Sequence, residues 1–433
     1  MNKKIVIFCL IISTLIFPGC SMRGTGADST NITLSDQGIL VDGKEVSTNP
    51  SDRVYIGADI IYYEEGKGKT YGNGSKKDAH SPEEAAQHTV ITITKPGTYE
   101  VSGRLSQGQI FVNLGKDAKD DPDSVVNLIL NNAEITCTIA PSILVYSAYE
   151  CGSDKKKDVS PNVDTSDAGF NLILAKDSRN VINGSYVARI YEDGTTKEDV
   201  KKDKAKKKYK FDGAIESFVS LNICSDENGK LIVNAQNEGI SSHLHLTINS
   251  GNIEINAAND SINTNENGVS VLTINGGSVI CNSGFGEDGD GLDSNGYLVI
   301  NGGYVFACAH PDSMDSGLDS DEGIYINGGI VFGNGNMYDE VKAESKQDFL
   351  VMEFEEKISK NDMIMIADEN DDPVAAISSF SDYSIVVFSI PELKMEDYNV
   401  YKVSSVTGRL EGYYIYLDIQ DYTDAKKIPY HFL

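Results

Sequence analysis

One long stretch of this chain has no basic residue. From residue 231 to residue 341 there is no Lys or Arg, whereas 15 Asp or Glu occur there, and the 433-residue chain carries a net charge of −28. Such a surface repels nucleic acid and anionic membranes unless a metal ion intervenes. The sequence therefore argues against a nucleic-acid-binding protein and favours cations as partners.

Long apolar runs and cysteine pairs are also scarce. Residues 5–17 are largely apolar but too few to span a bilayer permanently. They lead into Pro18-Gly19-Cys20-Ser21, which resembles a bacterial lipoprotein signal with Cys20 as the lipid-bearing residue. We predict a signal peptide over residues 1–20 and an extracellular protein that meets the cell membrane only through its lipid; an ordinary secretory signal cut nearby is the alternative. The five later cysteines include no CxxC pair, which argues against a disulfide framework or a zinc site.

What the chain does contain is one short pattern written four times at a spacing of 26 residues. The copies read Leu-Thr-Ile-Asn or a close variant, and they end at Asn249, Asn275, Asn301 and Asn327. A small pair, usually Gly-Gly, follows each copy and leads into a second alternating run. Each unit therefore contains two strands of period two, separated by a turn that Gly permits. With no helical pattern between them, the units bury their apolar side by stacking, which predicts an all-β chain folded as a parallel β-helix of about ten coils.

The repeat also predicts which side chains lie inside. Leu272 and Ile274, at the first and third positions of a copy, are expected to point inward, and the residue between them outward. The four asparagines fall in one column. Their amides either form a ladder from coil to coil or serve only the turns.

The rest of the chain divides by composition. We predict a tether and N-terminal cap over residues 21–89, with a helix that starts at Ser81-Pro82 and covers the open end of the coils. The β-helix is expected over 90–340, and a small antiparallel β unit over 341–433. Residues 197–210 carry eight lysines and three acids. This segment is interpreted as an excursion between coils, either a solvated loop or a contact for acidic polymer.

Two successive units share an acidic turn. Asp293 and Asp319 are 26 residues apart, and stacking would place their carboxylates about 5 Å from one another. Two bare charges at that distance repel by roughly 3 kcal/mol at an effective dielectric constant near 20. Ca²⁺ resolves the repulsion because it takes six to eight oxygen ligands in loose geometry; solvated Asp-Gly turns are the alternative. The candidate calcium ligands are Asp288, Asp290, Asp293, Asp312, Asp315 and Asp319.

Several motifs together resemble a family of bacterial carbohydrate-binding surface proteins with a right-handed, pectate-lyase-like parallel β-helix. The motifs are residues 98–110, Asp212-Gly-Ala-Ile215, the Leu-Thr-Ile-Asn-Gly-Gly copies and Gly289-Asp-Gly-Leu-Asp-Ser-Asn-Gly296. The resemblance covers residues 90–335. It implies calcium sites on the β-helix, with the aspartates of 289–296 and 316–321 as first candidates, and binding of cellulose or polygalacturonate without demonstrated lyase activity. Where the family has Asp-Gly-Ile, this chain has Asp260-Ser-Ile and Glu238-Gly-Ile, so these two coils are the less expected metal sites.

Three functions stay open at this point. A non-catalytic binder would hold an acidic polysaccharide through Ca²⁺, with Tyr297, Tyr304 and Tyr325 stacking on sugar faces. These tyrosines could equally be ordinary outward strand residues, and the absence of Trp weakens a sugar platform. A structural envelope scaffold would have no affinity for carbohydrate. We prefer the binder.

An enzyme is the less favoured prediction. A calcium-dependent polysaccharide lyase needs a base, usually Lys or Arg with a lowered pKa, beside the metal. The acidic coils supply none, since Lys230 and Lys342 lie at their edges. A hydrolase could use a pair of carboxylates, and acid pairs are abundant here.

Overall fold

The computed structural model describes residues 29–67, 72–202 and 204–433. The predicted signal peptide and Cys20 lie outside the described residues, so lipid attachment stays a prediction. The described chain is mostly β, with long parallel sheets, and this confirms the predicted parallel β-helix. No helix in these three ranges is both long and apolar enough to cross a membrane.

The secondary structure consists of short strands with few helical turns. The N-terminal strands are β1 (Thr30–Leu34), β2 (Leu40–Val41), β3 (Lys44–Glu45) and β4 (Val54–Gly57). The strands of the coils, including one hairpin, are β5 (Thr89–Ile93), β6 (Gly97–Leu105), β7 (Gly108–Asn113), β8 (Val126–Thr136), β9 (Ile143–Ser147), β10 (Phe170–Leu174), β11 (Arg179–Gly184), β12 (Val187–Tyr191), β13 (Lys207–Phe211), β14 (Gly213–Ser217), β15 (Leu221–Ser225), β16 (Lys230–Ala235), β17 (Glu238–Ser242), β18 (His245–Ile248), β19 (Asn252–Ala257), β20 (Ile262–Thr264), β21 (Val271–Ile274), β22 (Ser278–Asn282), β23 (Leu292–Ser294), β24 (Tyr297–Ile300), β25 (Tyr304–Cys308), β26 (Leu318–Ser320), β27 (Gly323–Ile326) and β28 (Ile330–Gly335). The C-terminal strands are β29 (Leu350–Ile358), β30 (Met363–Ala367), β31 (Pro373–Ser378), β32 (Tyr383–Ser389), β33 (Asn399–Val403), β34 (Ser405–Glu411), β35 (Ile415–Thr423), β36 (Lys426–Lys427) and β37 (Tyr430–Phe432). The α-helices are α1 (Pro82–Ala85) and α2 (Lys197–Lys201), and 3₁₀ turns occur at Lys76–Asp78, Ala118–Asp120 and Lys156–Asp158.

Each regular coil contributes one strand to each of three parallel sheets. The first sheet contains β1, β6, β8, β10, β15, β18, β21, β24 and β27. The second sheet continues from the long strands β6 and β8 into β11, β16, β19, β22, β25 and β28. The third sheet contains β5, β7, β9, β14, β17, β20, β23 and β26. Apolar side chains from all three sheets form one continuous core along the stack.

The repeat determines the interior as predicted. Leu272 and Ile274 are fully buried, and Leu272 pairs with the equivalent leucines of the coils on either side. The asparagine ladder is confirmed: the Nδ2 of Asn275, Asn301 and Asn327 each donates to the Oδ1 one coil earlier at 2.8 Å. The residues between the inward positions are less exposed than expected. Thr247 is buried because a loop lies over the first sheet and its Thr165 hydroxyl donates to Thr247 Oγ1 at 2.7 Å.

Antiparallel strands cover the N-terminal end of the stack. β2 pairs with the free edge of β1, and β4 pairs with the free edge of β5. Parallel stacking therefore begins at residue 30, upstream of the predicted start at 90. Helix α1 does form, with the Ser81 hydroxyl accepting from the Glu84 amide, but its Ala85 packs with Cys137 and Phe211 on the side of the coils rather than over their end.

The C-terminal unit docks on the last coils. β32 pairs antiparallel with β28, and β30–β36, apart from β32, form a six-stranded antiparallel sheet. Phe306 of β25 joins the two parts: its ring lies 4.7 Å from that of Tyr414 and 5.4 Å from that of Phe380, between ring centroids. Cys281 and Cys308, in neighbouring coils of the second sheet, are both buried free thiols.

Candidate functional site

Carboxyl side chains line the third sheet in two adjacent rows. One row contains Glu238, Asp260 and Asp290, each two residues before the mutually paired Ile240, Ile262 and Leu292 of successive strands. The other row passes from Glu216 through Ser241 and Asn263 to Asp293 and Asp319. We call the acids of this surface the acidic rows: Glu216, Glu238, Asp260, Asp290, Asp293 and Asp319.

The acidic rows have strongly raised pKa values. Burial raises the pKa of Asp293 to about 10, and repulsion from the other acids of the rows adds to the effect. The same two causes raise the pKa of Asp290 to about 9. For Asp319, burial and a hydrogen bond with the Asp339 carboxyl raise the pKa to about 8. Burial and mutual repulsion therefore disfavour the charged form of these carboxyls unless a cation is close to them.

Hydrogen bonds hold several side chains of the two rows in place but leave two side-chain oxygens without a partner. Asp260 Oδ1 accepts from the Asp290 amide at 2.8 Å, and Asn263 Nδ2 donates to Glu238 Oε1 at 3.2 Å. Glu238 Oε2 and Asn263 Oδ1 are buried without a hydrogen-bond partner. A buried oxygen in that state is costly unless a donor or a cation reaches it.

The side chains of the acidic rows are not oriented as a metal coordination shell. In residues 29–67, 72–202 and 204–433, no group of three or more His, Cys, Asp or Glu side chains is arranged to hold one. Ca²⁺ also takes amide and backbone carbonyl oxygens, and its geometry is flexible. The carboxyls of the rows would therefore need to turn toward a shared ion.

The structure brings four of the six predicted ligands together. Asp290, Asp293 and Asp319 lie in the acidic rows, and Asp293 pairs with Asp319 across β23 and β26 in the expected register. Asp315 lies beside them, where it accepts from the Gly289 amide at 2.7 Å and adds repulsion that raises the pKa of Asp290.

The other two predicted ligands lie in solvent. Asp288 is exposed and accepts from Asn259 Nδ2 at 2.7 Å. The Asp312 side chain is 85% exposed, and its Oδ1 lies 3.7 Å from Lys357 Nζ of the C-terminal unit. Neither contacts the acidic rows directly through a hydrogen bond, because the turns that carry them extend outward.

Sequence reasoning undervalued Glu238 and Asp260. They are 22 residues apart, and Asp260 is 30 residues from Asp290, so a search at the 26-residue spacing passes over them. A short motif in the sequence could have identified them. An acid, a small residue and then an inward Ile or Leu recur at 238–240, 260–262 and 290–292. Glu216 and Asp339 carry no such pattern.

The lysine-rich excursion supplies a cation to the rows. β12 and β13 form an antiparallel hairpin with α2 at its tip, and Lys210 at its base returns to the third sheet. Lys210 Nζ lies 3.1 Å from Asp212 Oδ2 and donates to Asn265 Oδ1 at 2.5 Å. The acidic coils supply no basic residue of their own, as the sequence indicates, but the hairpin brings Lys210 to them from outside that stretch. Burial lowers the pKa of Lys210, but attraction to Glu238 and Asp212 outweighs it and the pKa is raised, so Lys210 is an ion-pair partner.

Aromatic rings continue the third sheet beyond the acids. His243 Nε2 lies 3.1 Å from Glu216 Oε1, and the His243 ring stacks on Phe218 with centroids 3.8 Å apart. Tyr146 contacts Phe218 at 5.5 Å and Phe111 at 6.0 Å, again between centroids. These four side chains come from separate coils at irregular spacing, so no pattern in the sequence pointed to them.

The three candidate tyrosines have different environments. Tyr297 and Tyr325 are half-buried on the first sheet and meet edge to face, with centroids 5.9 Å apart. Tyr304 points out of the coil as expected, but the C-terminal unit covers it to 9% exposure. Its ring therefore lies beneath the turn at Gly412 instead of forming an open stacking platform.

A parallel β-helix whose third sheet carries two rows of partly and fully buried carboxyls is the class of protein that these observations define. A family model described as carbohydrate-binding domain-containing protein matches residues 87–165 and 176–380, more than half of the chain. The protein belongs to this family.

Among solved structures, the chain is similar to a polysaccharide lyase-like protein from C. thermocellum in its gadolinium derivative. The sequence identity is 20%, the TM-score is 0.39, and the alignment covers 73% of this chain and 95% of that chain. No curated protein matches the sequence.

Proposed function

We propose that this protein binds an acidic, pectic cell-wall polysaccharide such as polygalacturonate, through Ca²⁺ held by the acidic rows, without catalysis. The observation that carries the proposal is the register that pairs Asp293 with Asp319 beside Asp260 and Asp290. Membership of a carbohydrate-binding family supports a glycan as the ligand. The lipoprotein-like signal supports a place on the outside of the cell membrane, with Cys20 lipidated.

The donor set suits a hard cation. Asp290, Asp293 and Asp319 would hold the ion, with Glu238, Asp260 and the free amide oxygen of Asn263 completing the oxygens available. Asp293 and Asp319 are partly exposed, whereas Glu238 and Asp260 are buried. A bound Ca²⁺ would thus neutralise the buried side and face solvent on the other. Its remaining coordination positions suit the carboxylates of a uronate polymer.

The decisive experiment replaces the paired aspartates by their amide isosteres. In Asp293→Asn/Asp319→Asn we expect the melting temperature in a chelator to equal or exceed that of the parent, because an amide is neutral without having to take up a proton in this desolvated position. Millimolar Ca²⁺ should raise the melting temperature of the parent by several degrees and leave that of the double variant unchanged. Calcium-dependent pull-down with polygalacturonate should be lost together with the shift.

Glu287→Gln is the matched control, because its side chain belongs to the same acidic turn but is 93% exposed. It should retain both the calcium shift and the pull-down. Equal melting of the parent in Ca²⁺ and in chelator would contradict the calcium site. Calcium binding without affinity for any polysaccharide would instead favour a structural envelope scaffold.

Lys210 makes a polysaccharide lyase the second candidate. It is a partly buried amine beside the acidic rows, the position from which a base could remove the C5 proton of a bound uronate. Its ion pair with Asp212 and its raised pKa oppose that role. Incubation with polygalacturonate and Ca²⁺, followed by the ultraviolet absorbance of unsaturated uronate ends, separates the two functions. A binder produces none, and a lyase produces ends that disappear in Lys210→Ala.

A further inference from the structure

A groove runs along the second sheet, between the coils and the C-terminal unit. It consists of three adjoining cavities of about 650, 350 and 230 Å³. The first two share Lys230, Glu254 and Tyr413, and the last two share Asn282 and Phe380, so the space is continuous. We call it the second-sheet groove. It lies on a different face of the coil from the acidic rows, which are on the third sheet.

The groove follows the long axis of the stack. The largest cavity is lined by residues of five successive coils, from β16 through β19, β22 and β25 to β28. Four spacings between parallel strands amount to about 19 Å. That length accommodates several sugar residues of an extended chain, and the groove is open to solvent along it, so an internal segment of a polymer could enter.

The wall formed by the C-terminal unit is held in place before any ligand arrives. Phe306 packs between the coils and the tilted aromatic rings of Phe380 and Tyr414. Beside it, Asn334 Nδ2 of β28 donates to Ser379 Oγ at 2.9 Å in a buried contact. A preformed wall lowers the entropy lost on binding, because few side chains have to be ordered.

Aromatic rings and amides dominate the lining. Tyr413 is 61% exposed on one wall, with Tyr414 and Phe380 beside it. On the coil side, Asn256 and Asn282 belong to a second asparagine ladder, in which Asn282 Nδ2 donates to Asn256 Oδ1 at 3.4 Å. Exposed aromatic faces next to amide donors and acceptors are the chemistry that recognises a sugar ring and its hydroxyl groups.

Charge distinguishes this groove from the acidic rows. Lys230 Nζ and Glu254 Oε2 form an ion pair at 2.7 Å, and Glu411 is paired with Arg409, so the largest cavity carries little unpaired charge. The smallest cavity adds Lys360 with Asp312 and Asp382. Acids therefore outnumber bases along the groove, and a polyanion would find no net cationic surface there.

We propose that the second-sheet groove binds a neutral, extended polysaccharide chain independently of Ca²⁺. This inference rests on the carbohydrate-binding part of the proposed function. The family resemblance already implies cellulose among the ligands, so what the inference adds is the place of the neutral chain, a second site, and its independence of Ca²⁺. The two sites would then take different polymers: acidic chains at the third sheet and neutral chains at the second.

The test is depletion of the protein from solution by amorphous cellulose in the presence of EDTA. Tyr413→Ala should weaken this binding by about tenfold, because it removes the most exposed ring of the wall. Tyr413→Phe keeps the ring and should retain most of the binding. Tyr422→Ala is the matched control, since Tyr422 is an exposed tyrosine (38%) of the same hairpin that does not line the groove. Equal melting temperatures would show that each variant is folded.

Either of two results would contradict the proposed polysaccharide site in the groove. One is no binding of the parent protein to cellulose in EDTA, and the other is binding by Tyr413→Ala as tight as that of the parent. Polygalacturonate pull-down with Ca²⁺ is measured on the same samples. It shows whether the proposed calcium-dependent site still binds when the groove does not. Tyr413→Ala should bind polygalacturonate normally, because Tyr413 is remote from the acidic rows on the third sheet.

Discussion

Individual acids of the third sheet lie where water is scarce, and this burial is the main cause of their raised pKa values. A desolvated carboxyl is stable when it holds a proton or contacts a cation. Ser241 and Asn263 occupy the same row without that difficulty, which shows that the strand register itself does not require an acid. The proposed Ca²⁺ site would give Asp293 and Asp319 the cation that their burial calls for.

Another residue-scale consequence concerns His245 in β18. Its side chain is buried, burial lowers its pKa from 6.5 to about 4, and its Nδ1 accepts from the Val271 amide at 3.1 Å. Because the folded pKa is below the unfolded value, the neutral ring contributes stability above pH 6.5, and this contribution is lost as the pH falls toward 4. The loss is on the order of 3 kcal/mol.

His245→Asn keeps a hydrogen-bond acceptor and removes the titration. Urea unfolding of the parent and the variant between pH 7 and pH 4 should show a shallower decline in unfolding free energy for His245→Asn. Other titrating groups are common to both proteins and cancel in the difference. Parallel pH profiles would show that His245 is not held neutral by the fold.

At the scale of elements, a turn of fixed shape joins the first and second sheets. Gly277 and Gly303 have φ of 85° and 88°, and a Cβ at Gly277 would approach the Gly251 carbonyl oxygen to 2.5 Å. Only glycine suits such a position. The asparagine that precedes each turn then satisfies its amide through the neighbouring coil, so that turn and ladder support one another.

The ladder predicts a graded cost of asparagine removal. Asn275 lies within the ladder and makes one amide bond to each neighbouring coil, whereas Asn249 at its start makes one in total. Asn275→Ala should lower the free energy of unfolding by about 1–3 kcal/mol, and Asn249→Ala by about half as much. Chemical unfolding measures both. Equal losses would mean that each asparagine acts through its turn alone.

At the scale of the whole molecule, the C-terminal unit is part of the coil rather than an appendage. Phe306 is fully buried among Phe332, Phe380 and Tyr414, so one side chain joins the β-helix to the unit. This contact holds one wall of the second-sheet groove, together with the β28–β32 pairing and the Asn334–Ser379 hydrogen bond. The acidic rows face another direction and do not depend on the contact.

Phe306→Ala tests whether the second-sheet groove depends on the C-terminal unit while the acidic rows do not. The cavity should cost about 3–5 kcal/mol, and limited proteolysis should cut the connection at 336–349 faster than in the parent. Cellulose binding should weaken, whereas calcium-dependent binding of polygalacturonate should persist. Tyr422→Ala, which removes a ring that is 38% exposed and does not line the groove, is the control and should resist the protease like the parent. Unchanged proteolysis of Phe306→Ala would show that other contacts suffice to hold the unit.

Local pattern predicted much of the fold. The inward Leu272 and Ile274, the asparagine ladder and the pairing of Asp293 with Asp319 all follow from a constant 26-residue unit. A constant unit converts sequence spacing directly into strand register, so these features are readable without coordinates. The burial of Thr247 was not, because the loop that covers it belongs to a different part of the chain.

The sequence by itself determined a stack of β coils with a continuous apolar core, because period-two strands of equal repeat length have one way to bury their apolar faces. Only the tertiary structure decided which acids share a site. Glu238 and Asp260 join the rows because turns of unequal length compensate for the irregular spacing, and Lys210 arrives because a hairpin folds back onto the third sheet. Two other features depend on how the C-terminal unit packs against coils distant in sequence. The unit covers Tyr304, and it forms one wall of the second-sheet groove.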